Sequence, residues 1–208
     1  MAPYLTHALS TYLAKKLRHF FSHSSSFIKV AFDFIEQIKH LKLDENDIMV
    51  IFDLVSLFIK IPIPEAMELI SKLVGSKILK LIKLCLTYTF FTFNKVCYEQ
   101  NKGTTMGSSI SPIVANIFME HYEVRALDTY HLKPKFGKQF VVDTFFLWSH
   151  VLPSLWSFLS DINKISPHIQ FTMELEENHS LPFLDVLVSC LPDGPLSHQF
   201  YREKNSHR

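Results

Sequence analysis

The chain has no long uncharged apolar run. None reaches the ~18 residues expected of a membrane-spanning helix, and the greasiest stretch, Ile78 to Phe93, is interrupted by Lys80 and Lys83. Met1 to Leu17 has no charged-then-apolar leader pattern; Lys15, Lys16 and the following Arg18 interrupt it, so no signal peptide is expected. There are three cysteines, Cys85, Cys97 and Cys190, odd in number and far apart. That spacing excludes a disulfide framework, and no CxxC or Cys/His cluster suggests zinc. An intracellular protein without a membrane partner is expected, with nucleus and cytoplasm left open. The formal net charge is only +1, so any nucleic-acid surface must come from local charge. The eleven histidines are scattered, and no internal repeat or low-complexity linker is present.

What the chain does have is apolar bulk. Hydrophobic residues make up 48% of 208 residues, with 19 phenylalanines, enough for one domain with a sizeable core. Residues 1–45 read as a helical segment. Leu5, Leu9, Leu13 and Leu17 recur at spacing four, as do Phe27, Val30, Phe34 and Ile38 nearly so, and Ser22–Ser26 breaks the two helices. Ile48–Leu54 is unbroken enough to be a buried strand. Pro64 suits the first turn of a helix running to about Val74, stopped by Gly75, and Lys77–Thr87 follows as a second helix. Phe90–Asn94 and Val96–Gln100 pattern as a hairpin turned at Asn94-Lys95. Ser111-Pro112 starts a helix, and Leu152–Ile165 is another. Ile169–Leu175 and Pro182–Val188 read as strands around the polar turn Glu176–Ser180, with Ser197–Tyr201 as a last edge strand. Strands and helices mix without a strict alternation, which favours an α+β fold over a doubly wound sheet.

Two acids sit in similar settings. Asp53 follows four apolar strand residues, and Asp143 lies in Phe140-Val141-Val142-Asp143-Thr144-Phe145-Phe146-Leu147-Trp148, read as a hairpin over 139–149 with Asp143 at its tip. Carboxylates held on neighbouring strands suit a hard divalent cation. Taken alone, Asp53 reads sooner as a surface acid at a strand end. Between them, Gly103-Thr104-Thr105-Met106-Gly107-Ser108 is a loop whose glycines allow close approach, ahead of a helix start whose amides could face a phosphate.

Together these segments resemble the palm of a reverse transcriptase, with the closest likeness to the Penelope-like retroelement group. The resemblance covers roughly residues 45–204 and rests on Phe52-Asp53-Leu54-Val55-Ser56-Leu57-Phe58, on Gln100 with the glycine loop and Ser111-Pro112-Ile113-Val114-Ala115-Asn116, and on the 140–148 hairpin. It implies a ferredoxin-like, polymerase-palm antiparallel sheet packed on helices, with a palm over 46–204 behind the helical segment 1–45 and with fingers and thumb incomplete. It implies RNA-directed DNA polymerisation by two-metal nucleotidyl transfer. By that resemblance Asp53, the Leu54 carbonyl and Asp143 hold Mg²⁺ or Mn²⁺, and Phe58, Gln100, Gly103, Met106, Gly107 and Ser108 face nucleotide and template. RNA template, DNA primer and deoxynucleotides are the implied partners. The group's hairpin carries Asp-Asp where this chain has Val142-Asp143. A valine cannot coordinate a cation, so weak metal binding and an inactive, decayed, truncated copy are expected. The rival reading is a non-catalytic nucleic-acid-binding or structural remnant of a retrotransposon. Leu181–Val186 corresponds to a later palm strand, in which Asp185 reads as structural, and Tyr201–Lys204 to the start of a segment leading to a thumb.

Overall fold

Apolar residues alternate onto both faces of the central strands, and the fold follows from covering both. The computed structural model describes residues 2–20, 28, 30–140 and 143–200. The helices are α1 (Ala2–Leu17), α2 (Ala31–Ile38), α3 (Leu57–Lys60), α4 (Ile63–Ser71), α5 (Ser76–Thr87), α6 (Ser111–Thr129) and α7 (Leu152–Ile165). The strands are β1 (Ile48–Leu54), β2 (Phe90–Phe93), β3 (Val96–Glu99), β4 (Phe136–Phe140), β5 (Asp143–Trp148), β6 (Phe171–Leu175), β7 (Ser180–Phe183), β8 (Val186–Cys190) and β9 (Leu196–Phe200). The expected break at Ser22–Ser26, and Val142 and Tyr201–Lys204, lie outside the described residues. No helix of the described residues is long and apolar enough to cross a membrane. The chain divides into two compact units, one from 1–25, 55–128 and 166–169, the other from 26–54, 129–165 and 170–208.

The second unit holds the main sheet. Its four strands run in the order β4-β5-β1-β6, with every neighbouring pair antiparallel. Numbered among themselves from β1, the strands stand 2-3-1-4, which is the ferredoxin-like arrangement expected from the sequence. One face carries Met49, Ile51, Phe145 and Leu147, packed with Phe34, Ile35 and Ile38 of α2 and with Leu181, Phe183, Val186 and Val188 of the three-stranded sheet β7-β8-β9. The other carries Phe52, Phe146 and Trp148. Their rings meet Phe158 of α7 at centroid distances of 5.6, 6.3 and 5.2 Å, and Tyr130 adds a fourth contact to Phe158 at 5.1 Å. Trp148 is fully buried, and its indole N–H donates to Ser154 Oγ at 3.0 Å, so burying it strands no polar group. Ahead of β1, Lys135 Nζ reaches Asp44 and the buried Asp47 at 2.7 and 2.6 Å.

Several boundaries differ from the sequence reading, β6 starting at Phe171, β7 at Ser180 and β9 at Leu196 among them. Pro182–Val188 is two strands, because Phe183 pairs with Val186 and the chain turns at Leu184-Asp185. Leu184 takes a left-handed φ of 57°, a conformation its side chain does not advertise. α4 ends at Ser71, and Gly75 caps the start of α5 in an ordinary extended conformation. The acid hairpin starts earlier, at Phe136, and Asp143 is the first residue of β5, paired with Phe140.

In the first unit the β2–β3 hairpin turns where expected, with Asn94 and Lys95 both at positive φ, 49° and 64°. Leu13, Leu17, Ile70, Ile82 and Leu86 of α1, α4 and α5 are buried.

Candidate active site

The acid pair belongs to the second unit. Side chains alternate along β1, so Phe52 and Leu54 are buried and Asp53 points outward. The β1–β5 register pairs Phe52 with Thr144, and one step further sets Asp53 opposite Asp143. The two carboxyls lie within hydrogen-bond reach of each other. Burial, then the hydrogen bond to Asp53 and its negative charge, push Asp143 up from 3.8 to about 6. Two carboxyls this close cannot both ionise cheaply, so they share a proton or gather a cation. Leu54, the last residue of β1, is paired with Phe171 of β6.

The donor set is carboxylate oxygen on adjacent strands, which fits Mg²⁺ or Mn²⁺ better than a soft metal. It is small, however. Among the described residues no group of three or more His, Cys, Asp or Glu could hold a metal.

The loop residues belong to the first unit, where the structure brings Phe58, Gln100 and Gly103 together. The Phe58 carbonyl accepts the Thr104 N–H at 2.6 Å and the Thr104 hydroxyl at 3.2 Å. Gly103 has a φ of +70°, and a Cβ there would overlap Ile59 Cα and the Phe58 oxygen. Only glycine lets α3 and the loop close this tightly. Gln100 Nε2 donates to the Lys102 and Thr104 carbonyls at 2.8 and 3.1 Å, so its amide donors hold the loop itself. Thr89 and Gln100 exchange two hydrogen bonds that close the hairpin base.

Met106, Gly107 and Ser108 line a cavity of about 580 Å³ with His7 and Ser10 of α1, Leu84 and Cys85 of α5, Tyr88 just after it, and Phe90. Met106 is 69% exposed. Burial pushes the Cys85 thiol up, which keeps it neutral. Thr11 and Ser109 hydroxyls bond at 3.0 Å and tie α1 to the loop. The start of α6 does not present the phosphate-facing amides expected from the sequence. Ser111 N–H donates to Ser108, Ile113 and Val114 both donate to Ile110, and Pro112 has no N–H. The hydroxyls of Thr105 and Ser111 are buried and unpartnered among the described residues.

Sequence reasoning missed Thr104, fully buried and bonded to Phe58 across 46 positions. It also missed that α1 contributes to the cavity around the loop. Neither partnership leaves a local pattern.

Residues 2–142 match the model of the reverse transcriptase (RNA-dependent DNA polymerase) family. The match spans more than half the chain, which therefore belongs to that family. No curated protein matches the chain significantly. Similar solved structures include telomerase from Candida albicans in complex with a TWJ fragment of telomeric RNA, at 11% identity and a TM-score of 0.68, covering 96% of this chain and 38% of that one. Apo telomerase from Candida tropicalis aligns at 11% identity and a TM-score of 0.66, covering 94% and 40%. A form truncated of its C-terminal domain aligns at 12% and 0.55, covering 93% and 45%. At such identities the likeness is one of fold. The chain spans less than half the length of these telomerases.

Proposed function

We propose that this chain is the palm-bearing part of an RNA-directed DNA polymerase from a retroelement of the Penelope-like group, and that polymerisation is impaired in it. The palm runs over 46–204 behind the helical segment 1–45. The carrying observation is the facing of Asp53 and Asp143 across β1 and β5, with the proton affinity of Asp143 raised by burial and by its neighbour. Asp53, Asp143 and the Leu54 carbonyl are the groups that would hold Mg²⁺ or Mn²⁺. A divalent ion bound there supplies charge neutralisation for nucleotidyl transfer.

The remaining roles fall to the chain's own residues. Phe58, rigidly placed by the Thr104 bonds to its carbonyl, bounds the sugar side of a deoxynucleotide. Gln100 and Gly103 fix the loop, and Met106, Gly107 and Ser108 face template and nucleotide from it. The sequence supports impairment. Val142 occupies the position of the group's first hairpin aspartate, leaving two carboxylates where the chemistry uses more.

The test is primer extension on an RNA template by the unmodified chain and by Val142→Asp, with Mn²⁺ affinity measured alongside. Val142→Asp is expected to bind Mn²⁺ more tightly than the unmodified chain. Robust extension by the unmodified chain would overturn the impairment.

A further inference from the structure

The β2–β3 hairpin carries an apolar face that nothing among the described residues covers. Directly opposed residues of an antiparallel pair share a face. Phe91 with Tyr98 and Phe93 with Val96 therefore share one side. Their exposures are 49, 43, 62 and 52%. The Phe91 and Tyr98 rings lie 5.4 Å apart and nearly parallel, at 19°. A bare two-stranded ribbon of this length is marginal in water, and burying such a face would stabilise it.

Charge in the segment that holds the hairpin narrows what that cover is. From Lys77 to Lys102 the chain has five lysines, Lys77, Lys80, Lys83, Lys95 and Lys102, against one acid, Glu99. The whole chain carries a net charge of only +1, so this is a local concentration. All five lysines are exposed, and among the described residues none forms an ion pair. Three lie on α5, whose exposed Leu81 and Leu84 lead through Tyr88, just past its end, to the hairpin base. Tyr88, Phe90, Met106 and Gly107 line the same cavity, so hairpin base and glycine loop are adjacent.

A second copy of the chain would bring ten lysines face to face, which like charge disfavours. A partner with planar rings and regular negative charge fits both features. We propose that this basic, aromatic hairpin surface is a docking site for single-stranded RNA, the template strand of the reaction proposed above. Unpaired bases stack on Phe91 and Tyr98, and phosphates lie along Lys77, Lys80, Lys83, Lys95 and Lys102. The proposal rests on the polymerase reading for the identity of the strand. The stacking and charge arguments stand without it.

The experiment uses the full chain and an RNA template–DNA primer duplex with a single-stranded RNA overhang. A photoreactive thiouridine is placed in the overhang in one arm, and a photoreactive thiothymidine in the primer in the other. Adducts are mapped by mass spectrometry. Overhang adducts at residues 90–98 are expected, with primer adducts elsewhere. Phe91→Ala with Tyr98→Ala is expected to weaken overhang binding about tenfold or more. Lys80→Gln with Lys83→Gln, exposed helix positions that leave the fold intact, should lower the slope of log affinity against log salt by roughly 1.4.

Adducts confined to the glycine loop would overturn the hairpin proposal and leave the polymerase reading standing. Primer adducts at the hairpin would overturn the assignment to template. Absence of all binding would overturn both readings. An unchanged affinity in both variants would overturn the hairpin as an RNA surface, and a loss of self-association in the aromatic variant would mark it as a contact between copies of the chain.

Discussion

Replacing Asp143 with Asn should stabilise the protein at neutral pH in the absence of divalent ions. Asp143 holds its proton to about pH 6 in the folded chain, against 3.8 ordinarily, because of burial and the facing Asp53 carboxyl. Between those values the folded state binds more protons than the unfolded chain. Stability therefore falls as pH rises through that window and levels off above it. The ceiling on this loss is about 3 kcal/mol, at roughly 1.36 kcal/mol per pH unit. Asp143 is partly exposed, and solvent screening reduces the expected loss to about 1–2 kcal/mol. Asn keeps a donor for Asp53 and removes one charge. Urea unfolding of both proteins from about pH 4 to about pH 8 tests this. The variant should approach the wild type near the acid end and exceed it by about 1–2 kcal/mol at the alkaline end. Mn²⁺ should close the gap by stabilising only the wild type. A variant less stable at every pH, with an unchanged slope, would refute the carboxyl pair.

Other outcomes follow from the packing. Gly103→Ala combines a φ of +70° with overlap on α3 backbone and should cost about 1–3 kcal/mol or more, read as a lower urea midpoint. Phe158→Ala removes the ring shared by Phe52, Phe146, Trp148 and Tyr130 and should cost about 3–5 kcal/mol in thermal or urea unfolding. Thr104→Val keeps the size of a side chain that bonds the Phe58 carbonyl but loses its hydroxyl, and should cost about 1 kcal/mol in the same assay, because the Thr104 N–H still donates there.

The elements legible in the sequence are those whose signal is local. β1 and α7 occupy the expected residues, Ile48–Leu54 and Leu152–Ile165. The first is unbroken because both faces of its sheet are covered. The second repeats its apolar residues at helical spacing. The Asn94-Lys95 turn was legible because asparagine accepts positive φ. The turn at Leu184-Asp185 was not, since Leu184 adopts a left-handed backbone with an apolar side chain. For the site, each acid could be placed at a strand end. The coupling of Asp143 to Asp53 depended on strand order and register, which no single segment encodes. Gln100 read as a template contact, whereas its amide donors are engaged by its own loop. The spare amides expected at Ser111 are likewise consumed by the turn before α6.

The central claim is that Asp53 and Asp143 form a cation site on the palm sheet, and Mn²⁺ titration followed by paramagnetic broadening of backbone amides tests it most directly. Weak binding is predicted, with selective broadening at Phe52–Leu54 and Asp143–Phe145, abolished by Asp53→Asn. Broadening centred elsewhere, or unchanged in Asp53→Asn, would contradict it.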